Sequence, residues 1–122
     1  MIKLREVASK LGARILLGEE QMEREVVSAC GADLMSDVLT FTKCKTLLLT
    51  GLANVQVIRT AELSDLCAVV FVRGKIPGKD VIQAAKDRDM PLLVTCYTLF
   101  EACGRLYEMG IEGCPPKVYD NE

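Results

Sequence analysis

Three groups of residues in this chain have side chains suited to holding an anion: Thr50, Gly51 and Asn54; Arg73 and Gly74; and Thr95 with Thr98. Each group closes a short apolar run. If those runs are parallel strands, the groups gather beyond the carboxyl ends of one sheet, where helix N-termini turn backbone N–H groups outward. Hydroxyls, a guanidinium and two glycines in such a place would bind a phosphate or carboxylate. A plainer reading stands beside it: Gly51 and Gly74 make turns, Asn54 and Thr98 cap helices, and Arg73 is solvated.

Asp33, Ser36 and Asp37 form a second candidate site. On a helix Asp33 and Asp37 share a face, and paired carboxylates attract a divalent cation. Asp33 also has the position of an N-cap for a helix over Leu34 to Phe41, with Leu34, Val38 and Phe41 on its apolar face. Acidic residues in a first turn favour the helix dipole in any case. The structural role is the expectation, and no metal is expected.

The six cysteines, Cys30, Cys44, Cys67, Cys96, Cys103 and Cys114, include no C-x-x-C pair, and the chain has no histidine. They read as small, mostly buried hydrophobes in a reducing compartment. A metal or iron–sulfur site from Cys96, Cys103 and Cys114 is the sharper alternative. Arg24 and Arg105 are further candidates. Gly104, beside Arg105 in the last helix, costs roughly 1 kcal/mol against alanine, so a close packing contact with the sheet or a second subunit is expected there.

Catalytic machinery is largely excluded. Without histidine there is no Ser-His-Asp or Cys-His system. Neither a G-x-x-x-x-G-K-[ST] loop nor a G-x-G-x-x-G fingerprint is present. Only lysine or carboxylate chemistry stays open, and the chain is expected not to be an enzyme and to need no cofactor. Fifteen basic residues face seventeen acidic ones, with no basic stripe to neutralise a nucleic-acid backbone. The longest apolar runs are far too short to span a bilayer. The amino-terminal Met1 to Glu6 is an amphipathic helix start, not a signal segment, so the cytoplasm is the default.

The elements that would position these groups follow from the apolar pattern. Ile2, Leu4, Val7, Ala8 and Leu11 have helical spacing, and Gly12 stops that helix. Arg14 to Leu17 and Glu25 to Cys30 read as extended segments that pair as a small ribbon. A unit then repeats three times. Thr46–Thr50, Leu66–Val72 and Pro91–Val94 are near-continuous apolar runs, as in strands buried on both faces. Each is followed by a helical segment: Asn54–Leu63, Gly78–Arg88 and Thr98–Met109. This alternation predicts right-handed βαβ units and a single three-layer α/β/α domain with a mostly parallel sheet, with a mixed edge or the small ribbon added. The domain is expected over residues 1–112, with an extended or frayed tail over 113–122.

Met22 to Val26, followed by Gly31-Ala32-Asp33-Leu34-Met35-Ser36-Asp37-Val38-Leu39, resembles the signature region of the DRTGG domain family. Ile76-Pro77 to Thr95, and Phe100-Glu101-Ala102-Cys103-Gly104-Arg105-Leu106-Tyr107, resemble it as well. The similarity runs from about Lys3 to Ile111. It implies the α/β fold of the N-terminal domain of HPr kinase/phosphorylase and a regulatory, nucleotide-sensing role without a known activity. The chain departs from the namesake motif: Glu23 replaces aspartate, and Val27-Ser28-Ala29 replace Thr-Gly-Gly. If those glycines admit a ligand to the backbone, Ser28 and Ala29 put that contact in doubt. Together these readings predict a homodimeric sensor of a nucleotide or small anion. The alternative is an accessory subunit that docks on a partner enzyme and takes no small molecule.

Overall fold

The structure, a computed structural model, describes residues 1–41 and 45–114. In chain order the elements are α1 (Leu4–Lys10), β1 (Arg14–Leu17), β2 (Ser28–Gly31), α2 (Met35–Phe41), β3 (Thr46–Thr50), α3 (Val55–Leu63), β4 (Ala68–Phe71), α4 (Lys79–Asp87), β5 (Leu92–Val94), α5 (Leu99–Glu108) and β6 (Glu112–Gly113). The three repeated helices begin and end within a residue of their sequence-predicted limits. The strands lie in one sheet of order β1-β5-β4-β3-β2-β6. All neighbours are parallel except β1, which runs antiparallel to β5 at one edge.

That order explains the three layers. The chain steps from β2 to β3, β4 and β5 in one direction across the sheet, and right-handed crossovers then place α2, α3 and α4 on one face. From β5 it must return across the sheet to reach β6, so α5 runs over the opposite face, beside α1. Side-chain alternation along each strand feeds both cores. Leu47, Leu49, Ala68, Val70 and Leu93 pack with Leu4, Val7, Ala102 and Leu106. Leu48, Val69, Phe71 and Leu92 pack with Val38, Val57, Ile58, Val81 and Ala85.

Three expectations differ from the structure. Arg14–Leu17 and the strand near Cys30 do not form a ribbon, because β1 and β2 lie on opposite sides of the parallel strands. On α2 the buried residues are Met35 and Val38, whereas Leu34 precedes the helix and is exposed. Gly113, read from sequence as the start of a tail, is the second residue of β6. The side chain of Phe41, and residues 115–122, lie outside the described residues.

The amino-terminal ends of the strands share one turn design. Lys45 immediately precedes β3, and Asp65 and Asp89 lie shortly before β4 and β5, each left-handed at φ 58°, 54° and 57°. After α3 and α4 the N–H groups of Leu66 and Met90 donate to the carbonyls of Ala61 and Ala85, at 3.0 and 2.9 Å. These are the carbonyl-satisfying bonds that end a helix around a left-handed residue. Arg24 braces two of those turns. Its Nη1 donates to the carbonyl of Cys67 at 2.9 Å, and Nη2 to that of Asp89 at 3.2 Å. The sequence offered Arg24 as a ligand candidate, but its donors are committed to this end of the sheet. Cys67 itself is buried, which pushes its thiol up to about 12.

Gly18, at φ 93°, turns the chain after β1 directly against Pro91. A Cβ there would fall 2.8 Å from the proline Cβ and 2.9 Å from its Cα. Backbone strain and this close approach together predict that Gly18→Ala lowers stability by at least about 2 kcal/mol. A fall in the urea midpoint with an unchanged slope would register it.

Candidate functional site

The carboxyl ends of β2, β3, β4 and β5 carry the loops that sequence reading chose, and hydrogen bonds bind those loops to one another. Thr50, the last residue of β3, donates its hydroxyl to Asp33 Oδ1 at 3.0 Å. The next N–H, of Gly51, donates to the same oxygen at 2.8 Å. Leu52 N–H then donates to the Thr50 hydroxyl at 3.1 Å. Asp33 therefore organises the loop between β3 and α3 from the neighbouring strand's end. Because α2 begins at Met35, the N-cap position falls on Leu34 and not on Asp33.

Gly51 is needed here for space. Arg73 Nη2 lies 2.8 Å from where its Cβ would stand, so the guanidinium rests on the glycine. Arg73 is left-handed, at φ 59°, and its exposed side chain leaves the end of β4 over β3. Its N–H donates to the carbonyl of Tyr97, and the N–H of Gly74 donates to that of Thr95, both at 2.8 Å. The loops after β4 and β5 are thereby laced together. Connections leave these two strands toward opposite faces of the sheet, which is where open α/β sheets form a ligand crevice.

The remaining candidates separate. Thr95 is buried, donating its hydroxyl to the carbonyl of Leu11 at 2.8 Å and accepting from Tyr97 N–H at 3.3 Å. Its hydroxyl, like that of Thr50, is consumed by the fold. Thr98 caps α5 by accepting from Glu101 N–H at 3.4 Å. Asn54 occupies the N-cap of α3 without a side-chain capping bond, and its side chain is exposed. Ser36 and Asp37 are exposed on α2, while the Asp33 carboxylate is spent on β3. Among the described residues no grouping of three or more Cys, Asp or Glu could hold a metal. Cys96 is exposed beside Gly74, and Cys103 lies against Gly31, so the postulated thiolate set does not converge.

Cations and carboxylates meet at this end of the sheet, with Asp80 in the first turn of α4 among the latter. Arg73, Lys75 and Lys79 follow β4 within one short stretch, and among the described residues no ion pair engages any of them. Asp33 meets Gly51 yet forms no ion pair with Arg73. Tyr97 was not anticipated from sequence. Arg105 stacks over its ring at 4.1 Å and pairs with Glu101 at 3.2 Å, one turn away. Arg105 thus steadies the residue whose carbonyl holds Arg73. An apolar groove of about 390 Å³ was also missed; Ala29, Gly31, Phe100, Gly104 and Tyr107 line it. The signal for it was present as the Phe100, Gly104, Tyr107 spacing on α5.

These features define a three-layer α/β domain whose strand-end loops are laced into one rim that carries Arg73. The chain belongs to the DRTGG domain family, whose model matches residues 6–109. Among solved structures, it is similar to the CBS and DRTGG domains of the regulatory region of Clostridium perfringens pyrophosphatase, complexed with the activator diadenosine tetraphosphate. The TM-score is 0.70 at 16% identity, covering 84% of this chain and 45% of that one. This chain thus spans less than half the length of that neighbour. No curated protein matches it by sequence. No helix among the described residues is long and apolar enough to cross a membrane.

The stretch that resembles the family's namesake motif lies at the other end of the sheet from this rim. Ser28 and Ala29 are in β2, paired with β3 on one side and β6 on the other. The Ser28 hydroxyl is buried against that of Thr46 at 2.7 Å. Their backbone is committed to the sheet.

Asp33→Ala removes the acceptor of two part-buried donors and is expected to cost about 1–3 kcal/mol. Asp37→Ala, on an exposed helix face, should stay within about 0.5 kcal/mol. Equal effects in chemical denaturation would contradict the bridging role given to Asp33.

Proposed function

We propose that this domain is a non-catalytic regulatory module that takes a small anionic ligand, a nucleotide or a simpler phosphate-bearing molecule, at the carboxyl ends of its parallel strands. The observation that carries this reading is Arg73, held over Gly51 by the laced loops, with no ion pair among the described residues. Asn54, Gly74 and the cations Lys75 and Lys79 supplement it. Thr50, Thr95 and Thr98 act behind the rim by fixing its loops. The similar pyrophosphatase region binds a dinucleotide activator, which makes polyanionic nucleotides the natural first probes.

Thermal shift against mononucleotides, diadenosine tetraphosphate and inorganic phosphate tests this. A ligand at 100 times its Kd adds about 2.7 kcal/mol, several degrees in a domain of this size. The shift should vanish in Arg73→Ala. It should shrink in Gly51→Ala, because the new methyl displaces only the end of a flexible side chain and leaves the unliganded midpoint nearly unchanged. A flat response, or one indifferent to Arg73, rejects the rim as the site.

A second reading, an accessory subunit or homodimer that works by docking, draws on α5. Phe100 and Tyr107 are 87% and 76% exposed beside the apolar groove. Between them Gly104 has nothing within 4 Å of a built Cβ, so the sheet does not explain the glycine. In a free domain Gly104→Ala should stabilise by up to about 1 kcal/mol. If a partner enzyme or a second copy covers this face, the same change should instead weaken association, which sedimentation would detect.

A further inference from the structure

The register between the last two strands places two cysteines side by side. β2 and β6 pair Ser28 with Glu112 and Ala29 with Gly113. The ladder ends there; continued by one step, the same register would bring Cys30 level with Cys114, the residue after β6. Neighbouring strands lie about 4.7–4.9 Å apart, inside the roughly 4.4–6.8 Å Cα separation that a disulfide bridges. Residues at the same level of adjacent strands also point to the same face. Burial pushes the Cys30 thiol upward, and Cys114 is near enough for its sulfur to add to this. Both are free and half-buried.

The other described cysteines are placed differently. Cys67 is buried, and Cys96 is exposed on the rim. Cys103 packs from α5 into the core on the other face of the sheet from the one Cys30 joins.

We propose that Cys30 and Cys114 are a reversible oxidation site, at which a small-molecule disulfide of the glutathione type converts the pair into an intrachain disulfide. Cys114 attacks first: its thiolate takes one sulfur of the small disulfide and releases one thiol. Cys30 then loses its proton and attacks the Cys114 sulfur, releasing the second thiol. Two protein thiols and one small disulfide thus become one protein disulfide and two small thiols. This order follows from the environment of Cys30, whose thiol burial and the neighbouring sulfur push up to about 11. A thiol so seldom ionised is a poor first nucleophile, but it serves once its partner sulfur is held beside it. The bond would fasten β6, a strand of two residues, to β2. The same two strands supply Ala29, Gly31, Glu112 and Gly113 to the wall of the apolar groove, so oxidation would fix one side of that groove.

The test uses the whole chain, incubated with oxidised glutathione and then alkylated, digested and mapped by mass spectrometry. The expected product has lost two hydrogens and contains a Cys30–Cys114 cross-link. It forms faster as pH rises toward 11, and its melting temperature rises by several degrees because the unfolded chain is looped. Cys30→Ser should stop at a stable glutathione adduct on Cys114, whereas Cys96→Ser should cross-link normally. A cross-link between any other pair would overturn the assignment. So would a wild-type chain that keeps the adduct on Cys114, or that stays fully reduced in an oxidising glutathione buffer.

Discussion

Burial of the sheet on both faces is the constraint from which the rest of this domain follows. Leu47, Leu48, Leu49, Val69, Val70 and Phe71 have no solvent exposure at all. Polar groups therefore have no place along the strands, and they collect where strands end. The two ends serve different purposes. At the amino-terminal end Arg24 spends its donors on the carbonyls of Cys67 and Asp89 and braces the turns that feed β4 and β5. At the carboxyl end the Thr50 hydroxyl and the Gly51 N–H donate to the Asp33 carboxylate, and the Arg73 guanidinium is left facing solvent. One end is closed on itself and the other retains unspent charge.

The features legible in the sequence were those set by local pattern. Unbroken apolar runs signalled parallel strands because a strand covered on both sides cannot alternate. The helices between them followed from periodicity. Strand partners were not legible: Arg14 pairs with Val94 and Ile15 with Leu93. Those contacts join distant parts of the chain, and the short segments themselves carry no mark of the partner. Proximity in sequence favoured a ribbon between two segments that the crossover topology sends to opposite sides of the sheet.

Asp33 shows the same limit within the site. Its local context, two residues ahead of a helix, has the form of a cap, yet its carboxylate is claimed by the N–H and hydroxyl at the end of the adjacent strand. Thr50 and Thr95 were placed correctly at strand ends, but residue type cannot tell a hydroxyl that faces a ligand from one that holds a loop. Tyr97 was invisible for a related reason, since its part in the site is played by a backbone carbonyl and a ring beneath Arg105. Arg73 and Gly51, both offered from sequence, lie against each other at the ends of β4 and β3. The namesake-like segment, by contrast, belongs to the scaffold: its arginine braces turns and its small residues are strand backbone.

Continuous apolar strands carry a hazard wherever a sheet stops, because an open edge is a template for another chain's backbone. Both borders of this sheet are poor templates. On one side β1 runs against the direction of the others, and its register slips between Ile15 and Leu17. That irregularity interrupts the even spacing of donors and acceptors which a further strand would need. On the other side, among the described residues, the outermost strand is two residues long. Among the described residues, then, neither border offers the long, even edge that stacking against another copy would need.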